Sequence, residues 1–275
     1  VVINLGYMAR INNMVTSCYL WIGKDVLKMN IKKSFMSLTF TIVSSFLLLS
    51  ACGEDKSSPT AKVDEAVVKN YKWKMVTSWP KNFPGLGMGP ERFSQYVDEM
   101  SNGRLTVKVY GAGELVPGFE VFDAVSQGTV QMGHSGAYYW KGKIPASPIF
   151  SAIPFGMTAT EFNAWLHYGG GLALWQELYQ PFGIVPMAGG NSGAQFAGWF
   201  KKEINSINDL KGLKMRIPGL GGEVLKRAGG VPVTLTGGEI FSSLQSGAID
   251  ASEWVGPYND LAFGFHQAAE FYYSS

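Results

Sequence analysis

Short stretches in which apolar and polar residues alternate are separated along this chain by longer stretches with helical spacing. Tyr71–Met75 and Leu105–Val109 alternate as half-buried strands do. Between them Phe93, Tyr96 and Met100 recur on one face of a predicted helix. The Asn-Gly pair that follows is expected to end this helix. The same patterns predict helices at 119–126 and, as one or two elements, at 162–179, and strands at 130–132, 184–187 and 214–217. Strands that alternate with helices predict an α/β fold with a largely parallel sheet.

One unit of helix, glycine and strand occurs twice in the sequence. Gly118–Val130 aligns without gaps on Gly237–Ile249, with four identities in thirteen positions. The identical pairs include Gly128 and Gly247, each placed to end a helix. Since each copy can nucleate its own sheet, the repeat predicts two related α/β lobes.

The first 51 residues differ from the rest and are typical of an export signal. Phe35–Leu49 is an apolar run of fifteen residues. It is shorter than the ~20 residues of a membrane-spanning helix and typical of a signal-peptide core. The run ends in Leu-Ser-Ala-Cys52, which is similar to the lipobox of bacterial lipoproteins, whose cysteine is lipidated. This predicts a periplasmic protein anchored to the cell envelope by lipid at Cys52; a plain buried cysteine is the alternative.

These features also set the expected segment boundaries. Met29, followed closely by two lysines, is the expected start, so the residues before it are interpreted as translated upstream sequence. A genuine N-terminal extension is the alternative. The predicted segments are 1–28, without expected structure; 29–51, the lipoprotein signal peptide; 52–70, a flexible tether; 71–189, lobe I; 190–255, lobe II; and 256–275, a return to lobe I.

Composition narrows the class of protein but names no partner. The 275 residues are 46% hydrophobic and 16% charged and include two cysteines, which excludes a disordered tail, a collagen and a disulfide scaffold. The formal charge is +2. Removing the five basic residues and one acid of residues 1–51 from the totals of 23 and 21 leaves 18 and 20, a charge of −2. An anion must then bind locally rather than in a general positive field, and no nucleic acid is expected as a partner.

Several catalytic motifs begin but are incomplete. Gly111-Ala-Gly113 lacks the third glycine of a dinucleotide-binding loop. Gly133-His-Ser-Gly-Ala137 has alanine where a nucleophile elbow requires glycine. The three histidines lack the spacing of a metal site, so packing or surface roles are expected for them. The protein is therefore not expected to be an enzyme, and a lipoprotein hydrolase is kept as an alternative.

Arg216 is the strongest binding candidate on chemistry alone. It ends a predicted strand, and Pro218-Gly219 then opens a helix. An arginine in this place can hold a carboxylate through a bidentate pair, with the helix amides as further donors. A surface arginine on an edge strand is the alternative.

Three segments resemble a known protein family. Asn205–Gly219, with its run Asp-Leu-Lys-Gly-Leu-Lys-Met-Arg, and Gly247–Trp254, which ends in Ser-Glu-Trp, are similar to the extracytoplasmic solute-binding proteins of TRAP transporters, the DctP-type family. With Asn191–Gln195 they are most similar to its 2-oxo-acid and monocarboxylate subgroup. The resemblance runs from Tyr71 to Ser275, and family members continue further, so the chain is expected to be truncated at its C-terminus.

The resemblance carries expectations about fold and function. It implies a bilobal periplasmic-binding-protein fold of the Venus flytrap type, with two mixed, mostly parallel sheets joined by crossing strands. It implies capture of a small carboxylate, such as the 2-oxo acid pyruvate, for delivery to the TRAP permease subunits in the membrane. A dicarboxylate, a sulfonate or a sugar acid are the alternative ligands. A homodimer of the full-length protein is also expected.

The resemblance also assigns roles to individual residues. Arg216 is expected to pair with the substrate carboxylate, and Gln195 and Asn191 to add hydrogen bonds. The Glu253 side chain and the Trp254 backbone carbonyl are expected to hold Na⁺ or Ca²⁺, hard cations that prefer oxygen ligands. No organic cofactor is expected.

Two adjacent aromatic residues, Tyr138 and Tyr139, are expected on the same grounds to line the cleft. If their backbone is extended, only one of the two can face it, because neighbouring side chains on a strand point to opposite sides.

Overall fold

A computed structural model describes residues 1–4 and 69–274 of the chain. The elements given below all belong to one compact unit. The predicted signal peptide at 29–51, the predicted lipidation site Cys52 and nearly all of the predicted tether lie outside the described residues. Within the described ranges, no helix has both the length and the apolar character that a membrane crossing requires.

The described residues form short strands and helices in alternation. The strands are β1 (Val2–Asn4), β2 (Tyr71–Thr77), β3 (Leu105–Tyr110), β4 (Met132–His134), β5 (Ile184–Pro186), β6 (Gly198–Phe200), β7 (Lys214–Arg216), β8 (Val231–Val233), β9 (Ala251–Ser252) and β10 (Phe271–Tyr273). The α-helices are α1 (Met88–Ser101), α2 (Val121–Ser126), α3 (Ala159–Tyr168), α4 (Gly171–Tyr179), α5 (Gly219–Arg227), α6 (Gly237–Ser246) and α7 (Pro257–Phe263). Short 3₁₀ helices occupy Ala137–Trp140, Ser147–Phe150, Gln180–Phe182, Ile207–Leu210 and Phe265–Gln267.

The strands form two five-stranded mixed sheets. The first has the order β3-β2-β4-β1-β5, in which β2 is parallel to β3 and β4, and β1 is antiparallel to β4 and β5. The second has the order β10-β6-β9-β7-β8, in which β7 is parallel to β8 and β9, and β6 is antiparallel to β9 and β10. The predicted α/β fold with two mixed sheets is therefore confirmed.

The repeated unit is also confirmed. A glycine in the left-handed conformation follows both helices: Gly128, with φ 73°, one residue after the end of α2, and Gly247, with φ 75°, directly after α6. Strand β4 begins at Met132 and strand β9 at Ala251, four residues after the glycine in both copies. Only glycine enters this conformation without strain, which explains why both copies keep it.

Two strands differ from the expectations. No structure was predicted for segment 1–28, which was interpreted as translated upstream sequence; β1 lies inside the first sheet, because Val2 and Ile3 are apolar, β-branched and buried. Residues 256–275 were expected to return to lobe I, yet β10 pairs with β6 in the second sheet. Both strands have three residues, too few for a periodic pattern to identify the strand or its partner.

Among the clusters of buried apolar side chains in the described residues, two lead towards the candidate site. The first packs on the first sheet and includes Val121, Phe122 and Tyr179. The second joins Trp79, from the segment after β2, to Trp254, from the segment after β9. The second cluster therefore brings the ends of strands from both sheets to one place, where the candidate site lies.

Candidate functional site

The candidate site begins where two neighbouring parallel strands end. Arg216 is the last residue of β7, and its register partner in β9 is Ser252. Glu253 follows at once, and its backbone N–H donates to the carbonyl of Arg216 at 3.0 Å. Because the carboxyl ends of parallel strands meet at one edge of a sheet, the two side chains lie side by side, at the place where open α/β sheets bind ligands.

The Arg216 guanidinium is buried, with 1% of the residue exposed, and is held on several sides. Its Nη1 donates to the backbone oxygen of Glu253 at 2.9 Å and to the carboxylate Oε2 of the same residue at 3.0 Å. Nη2 donates to the Tyr139 hydroxyl at 3.1 Å, and Nε to the Leu235 carbonyl at 3.2 Å. The guanidinium also lies 4.8 Å from the centre of the Trp254 ring. Four of its five N–H donors thus have partners within the described residues.

Glu253 has an unusual electrostatic environment. Its side chain is only 11% exposed, and burial raises the pKa of its carboxyl group to about 7. The adjacent guanidinium of Arg216 works against that rise, and the negative charge of Asp260 adds to it. A carboxyl group with such a pKa is poised to gain from a nearby cation.

The two predicted cleft tyrosines lie on the 3₁₀ helix Ala137–Trp140 rather than on a strand. Their rings meet edge to face, with centroids 4.5 Å apart, and both are half-buried. Burial raises the pKa of Tyr138 well above its usual range, and also raises that of Tyr139. Both hydroxyls therefore act as neutral hydrogen-bonding groups. The helical backbone lets Tyr138 and Tyr139 border the same space, which an extended backbone does not allow.

A small cavity of about 180 Å³ lies beside these tyrosines. Its other walls are Lys141, Gly142, Ile217, Pro218, Gly219, Gly222, Glu223, Pro232 and Thr234. The volume is below the roughly 300–1,000 Å³ of pockets for drug-sized ligands, so only a small molecule fits. Arg216 is not part of the lining and contacts it through the Tyr139 hydroxyl.

The other two predicted substrate contacts are not brought to Arg216 in this structure. Asn191 is exposed, and its Oδ1 accepts from the Gly193 N–H at 2.8 Å, a local turn. Gln195 is half-buried and donates to the Ser192 hydroxyl at 3.3 Å. Both residues lie on the loop between β5 and β6, which connects the two sheets.

The site can offer oxygen ligands to a hard cation. The Glu253 carboxylate and the Trp254 backbone carbonyl are adjacent in sequence at the end of β9, and both atom types suit Na⁺ or Ca²⁺. Among residues 1–4 and 69–274, no group of three or more His, Cys, Asp and Glu side chains is arranged to hold a metal.

Sequence reasoning missed Asp260, a buried carboxyl group behind the site. Its Oδ1 accepts from the backbone N–H groups of Val255 and Gly256, at 3.2 and 3.1 Å. Its Oδ2 accepts from the Trp199 indole at 3.2 Å and from the Tyr272 hydroxyl at 3.1 Å. Burial raises the pKa of Asp260. The available signal was an acid in the first turn of a helix that opens with Gly-Pro, which predicts a surface cap rather than a buried anchor.

Sequence reasoning also missed His134, whose hydrogen bonds connect the site to the loop between β5 and β6. The Trp79 indole donates to His134 Nδ1 at 2.7 Å, so Nε2 carries the proton and donates to the Gly189 carbonyl at 3.0 Å. Burial lowers the pKa of His134 to about 4, with a nearby positive charge adding to that effect. His134 is thus a neutral packing residue, and it holds Trp79 against the rings of Tyr139 and Trp254.

Comparison with known proteins identifies relatives of this chain. The family model described as bacterial extracellular solute-binding protein, family 7, matches residues 75–275. The monocarboxylate 2-oxoacid-binding periplasmic protein of Nostoc sp. strain PCC 7120 is 48% identical over 235 residues, which are 86% of this chain and 63% of that protein.

Two solved structures are similar to the same degree. A TRAP periplasmic solute-binding protein from Pseudoalteromonas atlantica T6c, with bound sodium and pyruvate, is 47% identical, with a TM-score of 0.74. One from Colwellia psychrerythraea, with bound calcium and pyruvate, is 48% identical, with a TM-score of 0.73. Each alignment covers 75% of this chain and 63% of the other. The chain thus spans less than two thirds of the length of these relatives.

Proposed function

This chain belongs to family 7 of the bacterial extracellular solute-binding proteins, and from that membership we propose that it captures a small 2-oxo acid, such as pyruvate, together with Na⁺ or Ca²⁺. The acid is then delivered to the membrane permease of a TRAP transporter. The family is one of substrate-binding transport proteins rather than of enzymes.

The observation that carries the proposal is the buried Arg216 at the end of β7. A fully buried guanidinium is costly unless its donors have partners, and here the backbone oxygen and the carboxyl group of Glu253 accept from it. A planar guanidinium matches a carboxylate in bidentate geometry. Since only one of its five donors is left, an acid that binds in bidentate geometry must displace the Glu253 carboxylate or the Tyr139 hydroxyl.

The cation fits this exchange. Na⁺ or Ca²⁺ supplies positive charge that compensates Glu253 when the ligand carboxylate takes its place on Arg216. The Glu253 carboxylate and the Trp254 carbonyl would hold the ion. Two similar proteins carry sodium or calcium together with pyruvate, which supports the pairing of cation and acid.

The remaining residues shape the pocket. Tyr138 and Tyr139 border the small cavity and favour a compact ligand over a sugar acid. Asn191 and Gln195 would reach the ligand by movement of the loop between β5 and β6. Such a movement is the hinge closure by which two-lobed binding proteins enclose a ligand.

The cellular setting is also part of the proposal. The protein acts in the periplasm and is anchored to the membrane by lipid at Cys52. The full-length chain forms a homodimer. Both points are tested by fractionating labelled cells and by measuring the mass of the purified full-length protein in solution.

Ligand-dependent stabilisation of the full-length protein tests the central proposal. Pyruvate, a longer 2-oxo acid and lactate are each added with and without Na⁺ or Ca²⁺, and the unfolding temperature is measured. Because a ligand at 100 times its Kd stabilises by about 2.7 kcal/mol, we expect a clear rise with a 2-oxo acid plus cation. No rise with any of the acids contradicts the proposal.

A pair of variants makes the test specific to the site. Arg216→Met keeps the volume of the side chain and removes its charge, so we expect loss of the pyruvate-induced rise. Arg227→Met removes an exposed arginine at the end of α5 and should leave the rise unchanged. Circular dichroism checks that both variants are folded.

A further inference from the structure

Asp260 stands out among the charged residues that the proposed binding reaction does not use. Asp260 is 0% exposed, yet it takes part in none of the ion pairs among the described residues. Burial of an unpaired carboxylate costs folding free energy, and hydrogen bonds from neighbouring donors must compensate that cost. Four hydrogen bonds therefore hold it, two from backbone N–H groups and two from side chains.

The identity of one backbone donor ties Asp260 to the cation ligands. The N–H of Val255 and the carbonyl of Trp254 belong to the same peptide unit. In a planar trans peptide the two groups point in opposite directions. A hydrogen bond from the Val255 N–H to Asp260 Oδ1, at 3.2 Å, therefore fixes the direction of the Trp254 carbonyl oxygen.

The other contacts make Asp260 a rigid support. The Trp199 indole belongs to β6 and the Tyr272 hydroxyl to β10, and both donate to Oδ2. One carboxyl group thus connects two paired strands of the second sheet to the turn at Val255-Gly256, which directly follows Glu253-Trp254. The turn cannot rotate without loss of a hydrogen bond to a buried acceptor.

We propose that Asp260 is a positioning residue that sets the cation affinity of the site, by holding the peptide unit between Trp254 and Val255 so that its carbonyl oxygen is directed at the ion. A hydrogen bond from the N–H to a carboxylate also polarises the peptide and strengthens its carbonyl as a ligand. Partners of this kind behind a metal ligand typically change metal affinity by roughly 10–100-fold. The inference rests on the proposed function, because it takes the Trp254 carbonyl as a cation ligand.

The experiment measures cation and acid affinity separately in the full-length protein. Calorimetric titration gives the Kd for Ca²⁺ alone and then the Kd for pyruvate at saturating Ca²⁺. For Asp260→Asn we expect Ca²⁺ affinity to fall by about 10–100-fold, while pyruvate affinity at saturating Ca²⁺ stays within a few-fold of wild type. A purely structural role for Asp260 lowers both affinities together, or neither, and overturns the proposal.

Two further variants make the result specific. Glu270→Gln removes an exposed carboxylate next to β10 and should leave both dissociation constants unchanged. Asp260→Glu keeps the negative charge but displaces the oxygens from the Val255 N–H, so Ca²⁺ affinity should still fall. If Asp260→Asn does not fold, Asp260→Glu decides in the same titration, and wild-type Ca²⁺ affinity in that variant overturns the proposal.

The failure of this inference is distinguishable from failure of the proposed function. Wild-type protein that binds neither Ca²⁺ nor pyruvate contradicts the function itself. Wild-type protein that binds both, with Asp260→Asn equal to it in Ca²⁺ affinity, leaves the function intact and removes the role of Asp260.

Discussion

Glu253→Gln should make the protein more stable above neutral pH and less able to use a cation. The carboxyl group has a pKa of about 7 in the folded protein, against an ordinary value of 4.5, chiefly because it is buried. The folded state therefore holds its proton more tightly than the unfolded state. The stability this gives is complete below about pH 4.5 and is lost as the pH rises through 7.

The size of the loss follows from the two pKa values. At about 1.4 kcal/mol per pKa unit, the difference between 4.5 and about 7 amounts to about 3 kcal/mol of unfolding free energy. Glutamine has nearly the same shape, keeps an acceptor for Arg216 Nη1 and never ionises. The variant should therefore equal the wild type well below pH 4.5, exceed it slightly at pH 5 and exceed it by about 3 kcal/mol at pH 8.

Urea unfolding of both proteins at pH 5, 6, 7 and 8, in buffer with a chelator and without sodium, measures this difference. Subtracting one curve from the other isolates Glu253, because His134 and Asp260 titrate in both proteins. Added Ca²⁺ should stabilise the wild type at pH 8 and leave Glu253→Gln nearly unchanged. A difference between the two proteins that does not vary with pH refutes the reasoning.

Two other substitutions test the packing and the rim of the site. Gly198→Ala places a Cβ against the Ser252 carbonyl oxygen at a φ of 115°, so urea unfolding should show a loss of more than about 2 kcal/mol. Gly238→Ala, in open space within α6, should instead stabilise by about 0.5–1 kcal/mol. Glu223→Gln removes the acid of a half-exposed ion pair with Lys141 at the cavity wall. Stopped-flow measurements should show faster pyruvate association at low salt, with the gain fading as salt screens the remaining charge; an unchanged rate at low salt contradicts this.

Periodicity predicted the elements well but not their surroundings. The alternation at Tyr71–Met75 and the Asn-Gly helix end are both confirmed, since local spacing determines them. The apolar face of α1 is different, because Phe93, Tyr96 and Met100 are exposed in the structure. Helical spacing indicates that a helix forms, whereas its burial depends on which other elements pack against it, and no local pattern records that.

In the site, too, the sequence predicted what depends on neighbouring residues but not the contacts between residues far apart in the chain. Arg216 could be placed at a strand end from its own neighbours in the sequence. Its contact with Glu253, 37 residues later, depends on β7 and β9 being adjacent, and only the family resemblance suggested that pair. Asp260 escaped notice because its side-chain donors, Trp199 and Tyr272, lie 61 and 12 residues away.

The buried charges bear on how a site with two carboxyl groups could bind an anion, as proposed. With both ionised, Glu253 and Asp260 outweigh Arg216 by one negative charge, and a bound monocarboxylate makes the excess two. Uncompensated buried charge costs several kcal/mol per ion. One Na⁺ leaves an excess of one negative charge, whereas one Ca²⁺ cancels it. On the proposed function we therefore expect acid and cation to bind with positive coupling, and because such coupling is reciprocal, each should raise the affinity of the other by the same factor. If the proposal is right, the negative charge of Glu253 and Asp260 makes the cation a condition for binding the acid at Arg216.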